Sequence, residues 1–207
     1  MLSPTHLLND FGAFGVLLVL FAETGILLGI VLPGDSLLFT AGLLSATTRR
    51  GDVHLNLAEV VVAAIIGAIV GAQVGYLIGR KLGPALFRRL DSRLFKQEYV
   101  DRTSTYLDKY GAGRAVFLAR FIPVVRTLMN PLAGVTEMDS RAFTLSNVVG
   151  GIVWAAGVTV AGFFLGKSIP NVDHYLLPII AVIVILSLIP IAWEIRKARV
   201  ERRSRLL

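Results

Sequence analysis

Residues 117–126 read FLARFIPVVR and place two arginines, Arg120 and Arg126, on either side of Pro123. The stretch around them is apolar enough to lie in a bilayer, where a charged side chain near the centre costs at least ~2.5–3.5 kcal/mol. The proline interrupts a helix at the same point, because it lacks the backbone N–H that an interior helical position donates. Two costly charges beside a helix break indicate a functional site rather than a plain membrane span.

A second stretch has the same design with the opposite charge. Residues 23–35 read ETGILLGIVLPGD and carry Glu23 and Asp35, with a helix break at Pro33 and Gly34. Non-helical backbone at membrane depth is tolerated where it is buried in protein or lines a cavity. An acid pair and an arginine pair on two broken segments therefore predict a transporter for a phosphate-bearing or otherwise anionic substrate.

The composition sets the class of protein. The chain has 207 residues, 55% of them hydrophobic, and a mean hydropathy of +0.70. Three apolar runs, at residues 60–78, 142–165 and 175–193, are each about 18 or more residues long, which is enough to span a membrane. We therefore expect a single membrane domain over residues 1–207. The sequence contains no cysteine, which excludes disulfides and thiolate metal sites.

The basic residues are concentrated in two places. Residues 80–114 hold nine Lys and Arg, the tail after Trp193 holds six more, and the first 48 residues hold none. Because cytoplasmic loops are enriched in Lys and Arg, we expect residues 80–114 and the C-terminus to face the cytoplasm. The basic tail at 196–207 favours anionic membrane lipids over nucleic acid as a partner, since it directly follows a predicted spanning helix.

Two parts of the sequence match each other. GYLIGR at 75–80 and GFFLGK at 162–167 share one pattern of glycine, aromatic, apolar and basic residues, and the breaks at Pro33 and Pro123 lie at nearly the same offset. The charge distribution makes the first of these helices end inside and the second begin inside, so the two parts run in opposite directions. This is the inverted-repeat arrangement of many secondary transporters.

The predicted fold is all-α and integral to the membrane. Each repeat is a re-entrant helical hairpin plus a transmembrane helix, with an interfacial amphipathic helix between the repeats and a C-terminal transmembrane helix. The expected segments are hairpin 1 at 11–46, a spanning helix at 58–80, the interfacial helix at 84–110, hairpin 2 at 115–135, and spanning helices at 141–166 and 174–195. The expected hairpin breaks are Pro33, Gly34, Pro123, Asn130 and Pro131. Two alternatives stay open: residues 11–32 as a plain spanning helix, and residues 84–110 as a soluble linker helix.

The charged residues suggest how an anion and protons would be handled. Arginine stays charged and presents a planar fork of donors, so Arg120 and Arg126 are the candidate phosphate-binding residues. A carboxylate can take up a proton, so Glu23 and Asp35 are the candidates for proton coupling. The acids would hold the arginines when the site is empty and release them when the anion arrives. The alternative is a pair of fixed salt bridges, and the sequence leaves open which acid pairs with which arginine.

Nothing in the sequence points to catalysis. His6, His54 and His174 are scattered at predicted loop or interface positions. There is no metal-ligand spacing, no phosphate-binding glycine loop and no nucleophile elbow. We expect no enzyme activity, no catalytic residue, no cofactor and no metal. Asn147 and Trp154 are candidates for lining the cavity, with ordinary helix packing as the alternative.

A glycine repeats every fourth residue in the first spanning helix, at Gly67, Gly71, Gly75 and Gly79. Such a stripe lets another helix approach closely. The neighbour could belong to the same chain or to a second copy, so the oligomeric state stays open.

Five motifs follow one another along the chain: FAETG at 21–25, PGD at 33–35, GYLIGR at 75–80, FLARFIPVVR at 117–126 and AGVTEM at 133–138. This ordered set resembles the DedA family, the bacterial branch of the SNARE-associated, or VTT-domain, membrane proteins. The resemblance covers roughly residues 11–166. It implies two facing re-entrant hairpins and residence in the bacterial inner membrane.

The resemblance also implies a substrate. Bacterial members move polyprenyl phosphate carrier lipid, undecaprenyl phosphate, from the outer to the inner leaflet, and eukaryotic relatives resemble phospholipid scramblases. Carried onto this chain, Glu23 and Asp35 would be the proton-responsive acids, and Arg120 and Arg126 the essential basic residues. The alternatives are a general phospholipid scramblase, a proton-coupled transporter of ions or small solutes, and a role in membrane-protein assembly.

Overall fold

A computed structural model describes residues 4–25, 34–46, 55–89 and 111–168. The predicted helix at 174–195, the basic tail at 196–207, Pro33 and most of the predicted interfacial helix at 84–110 lie outside these ranges. The described part of the chain is helical and contains no strand.

Six helices occupy the described ranges. They are α1 (Pro4–Gly25), α2 (Gly34–Leu44), α3 (Leu57–Arg89), α4 (Ala112–Ala119), α5 (Pro123–Val135) and α6 (Ser140–Ser168). Two stretches, Leu57–Leu82 in α3 and Ser140–Ser168 in α6, are long and apolar enough to cross a membrane. The chain is thus an α-helical membrane protein, and the membrane relatives described below agree with this. Each of the two predicted hairpin regions contains two shorter helices.

The helices pack in two matching sets of contacts. In the first half of the described chain (α1 to α3) α1 lies against α3, and in the second half (α4 to α6) α4 lies against α6. The short helix that follows in each half then packs on the long helix of the other half, α2 on α6 and α5 on α3. The long helices α3 and α6 also contact each other. The two halves are therefore interlocked rather than side by side.

Glycines sit at both of these cross-contacts. A Cβ on Gly42 of α2 would overlap the carbonyl oxygen of Thr159 in α6, and a Cβ on Gly134 of α5 would overlap the carbonyl oxygen of Tyr76 in α3. Only a residue without a side chain lets the backbones come this close. The Ala-Gly pairs of the two halves, at 41–42 and 133–134, thus both allow a short helix to pack closely on a long one.

The glycine stripe of α3 is used within the chain. Gly67 and Gly71 lie against the backbone of α1, where added Cβ atoms would stand 2.5 and 2.6 Å from the carbonyl oxygens of Leu17 and Phe21. About two turns further on, Gly79 lies against the carbonyl oxygen of Pro131 in α5. One face of α3 therefore packs against two other helices of the same chain, first α1 and then α5.

Two helix boundaries differ from the sequence prediction. The helix expected at 58–80 continues as α3 through Pro84 to Arg89, so residues 84–89 extend the spanning helix instead of beginning a new one. The second break expected in hairpin 2 is also absent, because α5 runs without interruption through Asn130 and Pro131 to Val135. A proline costs a helix one hydrogen bond, and packing can outweigh that loss. Close contact between Pro131 and α3 supplies such packing.

The buried apolar residues form two clusters. One joins α1, α2 and α3 with Trp154 and Ala155 of α6. The other joins Tyr76 of α3 to residues of α4, α5 and α6, with the rings of Tyr76 and Phe143 stacked at 4.4 Å between centroids. Among the buried residues are five with charged or amide side chains: Glu23, Arg120, Arg126, Asn130 and Asn147.

Candidate functional site

Helix ends bring the four charged residues into the protein interior. Glu23 lies in the last turn of α1, and Asp35 lies in the first turn of α2. Arg120 follows the end of α4, and Arg126 lies in the first turns of α5, which begins at Pro123. The backbone N–H and C=O groups at helix ends have no partner within the helix, so a polar site is favoured at these ends.

Arg126 binds both acids. Its Nη2 donates to Oε1 of Glu23 at 2.6 Å and to Oδ2 of Asp35 at 3.2 Å, and its Nη1 donates to Oδ1 of Asp35 at 2.8 Å. The exposed fraction of the side chain is 4% for Arg126, 1% for Glu23 and 32% for Asp35. The pairing that the sequence left open thus resolves in favour of Arg126 for both carboxylates.

Trp154 and Gly34 complete the surroundings of this ion cluster. The guanidinium carbon of Arg126 lies 4.2 Å from the centroid of the Trp154 ring, a distance at which the aromatic face attracts a cation. Gly34 lies directly against the Glu23 carboxylate, because a Cβ at residue 34 would overlap Oε2. The glycine beside Pro33 therefore makes room for Glu23 as well as opening α2.

Arg120 has different partners. Its Nη2 donates to Oδ1 of Asn147 and, at 3.4 Å, to the carbonyl oxygen of Ala68. Its Nη1 is buried and has no hydrogen-bond partner, and no carboxylate in the described ranges forms an ion pair with it. Arg120 is as buried as Arg126, at 4% exposed, but its partners are neutral.

Asn147 is held from its other end. Its Nδ2 donates to the carbonyl oxygen of Ile69 at 3.1 Å, which leaves Oδ1 to accept from Arg120. Gly150 and Gly151 lie on the same helix as Asn147 and next to Arg120. A Cβ added to Gly150 would lie 3.2 Å from Cδ of Arg120, and one added to Gly151 would lie 3.3 Å from its Nη1. The face of α6 that meets the two arginines thus presents an amide, two glycines and an indole.

The remaining predicted residues have structural positions. Asn130 donates from Nδ2 to the carbonyl oxygen of Thr24 at 3.1 Å, which joins α5 to the end of α1. Pro131 packs against Gly79, as described above. Both therefore contribute to helix packing next to the site and not to a break in the chain.

Sequence reasoning missed a second polar cluster. The hydroxyl of Tyr76 donates to the carbonyl oxygen of Met138 at 2.6 Å, and Nη1 of Arg80 donates to Oγ of Ser140 at 2.6 Å. This fastens α3 to the beginning of α6. The available signal was the GYLIGR motif itself, whose aromatic and basic residues are one helical turn apart. At the matching motif of α6, the Lys167 ammonium lies 4.8 Å from the centroid of the Phe163 ring.

Chemically, the site can bind and release charge. It contains two fixed cations, two groups that can take up a proton, and an aromatic face. Within the described residues no group of three or more His, Cys, Asp or Glu side chains is placed to hold a metal ion. The described site therefore holds opposite charges together in the protein interior.

Comparison with known proteins identifies the family. The family model of the VTT domain matches residues 32–164. Protein DedA of Escherichia coli K12 is 41% identical over 197 residues, a match that covers 92% of this chain and 87% of the relative. The chain belongs to the DedA family.

Other relatives match most of the chain. An uncharacterized membrane protein of Mycobacterium tuberculosis is 43% identical over 212 residues, covering 99% of this chain and 89% of the relative. Another from Mycobacterium leprae is 44% identical over 174 residues, covering 84% and 75%. No solved structure matches significantly. The DedA resemblance inferred from the motifs is thus confirmed.

The VTT-domain match of this DedA-family protein includes most of the site. Asp35, Arg120, Arg126, Asn147 and Trp154 all lie between residues 32 and 164. Glu23 lies before the matched range, yet it makes the shortest of the ion-pair contacts to Arg126. The ion cluster of this DedA-family chain therefore includes a residue of α1 as well as residues of the matched range.

Proposed function

We propose that this DedA-family protein is a lipid transporter, not an enzyme, that moves polyprenyl phosphate across the bacterial inner membrane. The lipid would be undecaprenyl phosphate, carried from the outer to the inner leaflet for reuse in building the cell envelope. The observation that carries the proposal is the buried Arg126, held by Glu23 and Asp35 at the ends of helices in a membrane protein. Buried charges inside a membrane usually mark a substrate or ion pathway.

Helix lengths support re-entrant hairpins. Helices α2, α4 and α5 contain 11, 8 and 13 residues. At about 1.5 Å per residue none of them crosses a hydrocarbon core of about 30 Å. The matching cross-contacts at Gly42 and Gly134 support an inverted repeat, in which the site lies between the tips of the two hairpins.

Charge balance suggests how protons take part. The two acids and the two arginines sum to zero when all four are charged. Protonation of Glu23 and Asp35 releases Arg126 and leaves a double positive charge, which suits a phosphate monoester of about −1.5 to −2 at pH 7. Asp35 is partly exposed, at 32%, and gives protons an entry to the cluster. Proton uptake and anion binding would then occur together.

The proposed orientation follows the basic residues. The cytoplasmic side would hold residues 80–114 and the C-terminus, whose Lys and Arg side chains would contact anionic lipid headgroups. Protons and polyprenyl phosphate are the proposed partners of the buried site, and nucleic acid is not one. A homo-oligomer is compatible with this arrangement but is not needed to complete the site, whose residues all come from one chain.

The test is binding of undecaprenyl phosphate to the purified protein from about pH 5 to about pH 9, a range that covers the protonation of buried carboxylates. Wild type should bind, and the double variant Arg120→Ala/Arg126→Ala should not. The variant Glu23→Gln/Asp35→Asn should bind with a flattened pH dependence. Equal binding by wild type and the double variant Arg120→Ala/Arg126→Ala would overturn the proposal. Equal binding of zwitterionic phospholipids would favour a general scramblase, and solute-driven currents without lipid transport would favour an ion or small-solute transporter.

A further inference from the structure

The two buried arginines are not equivalent as anion sites. Arg126 is already surrounded by two carboxylates, which an incoming anion must displace or which must first be protonated. Arg120 is bound by an amide oxygen and a backbone carbonyl oxygen, and no carboxylate of the described residues pairs with it directly. A buried charge without a counter-ion is costly to a protein unless something else supplies the opposite charge.

The geometry of Arg120 leaves donors available. Both of its hydrogen bonds start from Nη2, while Nη1 is buried without a partner. A guanidinium presents its donors in a rigid planar fork, so fixing one terminal nitrogen also fixes the direction of the other. Nη1 is therefore an oriented, unpartnered donor inside the protein, and this is the feature expected of a residue that awaits a ligand.

Asn147 produces this orientation without cancelling the charge. Its Nδ2 is engaged by the carbonyl oxygen of Ile69, so Oδ1 is turned toward Arg120. An aspartate of the same shape would accept the same hydrogen bond and would also neutralise the arginine. The amide is thus the side chain that can position Arg120 and leave it free to attract an anion.

The surface next to Arg120 suits a hydrocarbon chain. Leu118, Phe121 and Ile122 belong to α4 and to the turn that follows it, and 46–50% of each residue is exposed. In a membrane protein such a surface faces lipid tails. A phosphate bound at Arg120 would therefore have an apolar surface beside it for an attached chain, an arrangement that a free inorganic phosphate would not use.

We propose that Arg120 is the primary anchor for a phosphate monoester, and that Asn147 is the positioning residue that keeps Arg120 oriented and without a counter-ion. Arg126 is then the arginine that exchanges its partners, since Glu23 and Asp35 hold it until they release it. This assignment rests on the proposed function, because it takes the phosphate to be that of a lipid. It adds which arginine binds first and which neutral residue makes that possible.

The decisive variant is Asn147→Asp in the full-length protein, because it keeps the shape and the oxygen that faces Arg120 and adds one negative charge, while losing the Nδ2 donor to Ile69. We expect undecaprenyl phosphate to bind at least about tenfold more weakly than to wild type, since the new carboxylate competes with the phosphate. Asn147→Ala removes the hydrogen bonds to Arg120 and Ile69 without adding charge and should bind more tightly than Asn147→Asp. A merely structural role predicts that Asn147→Asp binds at least as well as Asn147→Ala, because both lose the donor to Ile69 and only aspartate still accepts from Arg120.

Thr144→Asp is the matched control. It adds the same charge to the same helix three residues earlier, at an exposed position, and should bind within about twofold of wild type. Thermal unfolding of each variant in detergent would verify folding. Asn147→Asp that folds and binds like wild type would overturn the assignment.

A second pair of variants decides the question if Asn147→Asp does not fold. Arg120→Gln should lose lipid binding, whereas the triple variant Glu23→Gln/Asp35→Asn/Arg126→Gln should retain it through Arg120. The opposite result would overturn the assignment.

Two further results separate this assignment from the proposed function. Wild type that binds no undecaprenyl phosphate would refute the proposed function, and with it the assignment that rests on it. Inorganic phosphate should not compete with the lipid at equal concentration. Equal competition would indicate a free phosphate site and would refute the lipid assignment while leaving the anion site at Arg120.

Discussion

Arg120 and Arg126 are six residues apart, equally buried, and surrounded by different chemistry. Arg126 lies near the beginning of α5 and contacts the end of α1 and the beginning of α2, where the two acids are. Arg120 follows α4 and contacts α3 and α6, where its hydrogen-bond partners are the carbonyl oxygen of Ala68 and the amide oxygen of Asn147. The parts of the other helices that each arginine contacts therefore decide whether a carboxylate pairs with it.

This difference separates two tasks that the sequence assigned to both residues together. An arginine inside an ion cluster can exchange partners, because its carboxylates can be protonated. An arginine with neutral partners has nothing to exchange and attracts an anion directly. A transporter needs both properties, since it must bind its substrate and also let it go. The variants below test whether the two arginines differ in this way.

The largest expected effect is that of Arg126→Met. It leaves Glu23 and Asp35 without their cation, and we expect the free energy of unfolding to fall by about 3–5 kcal/mol. Equilibrium unfolding in mixed micelles measures this loss. Adding Glu23→Gln to the same variant should recover part of it, because one of the two orphaned charges is then removed. An unchanged stability for Arg126→Met would show that the cluster is not held together as described.

The next effect is that of Gly34→Ala, which disturbs the ion cluster and leaves Arg120 untouched. The added methyl group overlaps Oε2 of Glu23, and we expect a loss of about 1–3 kcal/mol in the free energy of unfolding. Gly157→Ala is the control, since a Cβ there meets no atom within 4 Å. If both alanines had the same effect, close contact between Gly34 and Glu23 would be excluded.

A smaller effect is expected for Trp154→Phe. The indole lies over the guanidinium of Arg126, and the smaller phenyl ring should weaken this contact by about 0.5–1 kcal/mol. A double-mutant cycle with Arg126→Met measures the coupling between the two residues. The same cycle with Arg120→Met should show none, since the aromatic contact belongs to Arg126 alone.

The smallest change in stability is expected for Arg120→Met. The substitution removes a buried charge that has no counter-ion, and it also leaves the Asn147 amide oxygen without its donor. These effects oppose each other, so the free energy of unfolding should stay within about 1 kcal/mol of wild type. Lipid binding should nevertheless be lost. A destabilisation as large as that of Arg126→Met would remove the distinction between the two arginines.

The sequence was sufficient for the class of protein and for locating the four charged residues of the two broken segments. Charges inside apolar runs are costly, so Glu23, Asp35, Arg120 and Arg126 stand out without any structure. The apolar runs also predicted a helical membrane protein, and the ordered motifs predicted the family. Each of these inferences depends on local composition or spacing, which a single sequence contains in full.

What the sequence could not supply depends on contacts between distant segments. Nothing local distinguishes Arg120 from Arg126, because the difference arises from α1, α2, α3 and α6. The role of Asn147 follows from an orientation that Ile69 fixes across two helices. The break expected at Asn130-Pro131 was wrong for the same reason, since packing on Gly79 keeps a proline inside α5.

Translocation of undecaprenyl phosphate in proteoliposomes tests the central claim most directly. Wild type should move the lipid between leaflets faster when a proton gradient is imposed, and Arg120→Gln should abolish this movement. Glu23→Gln/Asp35→Asn should still bind the lipid but no longer respond to the gradient. Equal translocation by wild type and Arg120→Gln would contradict the account.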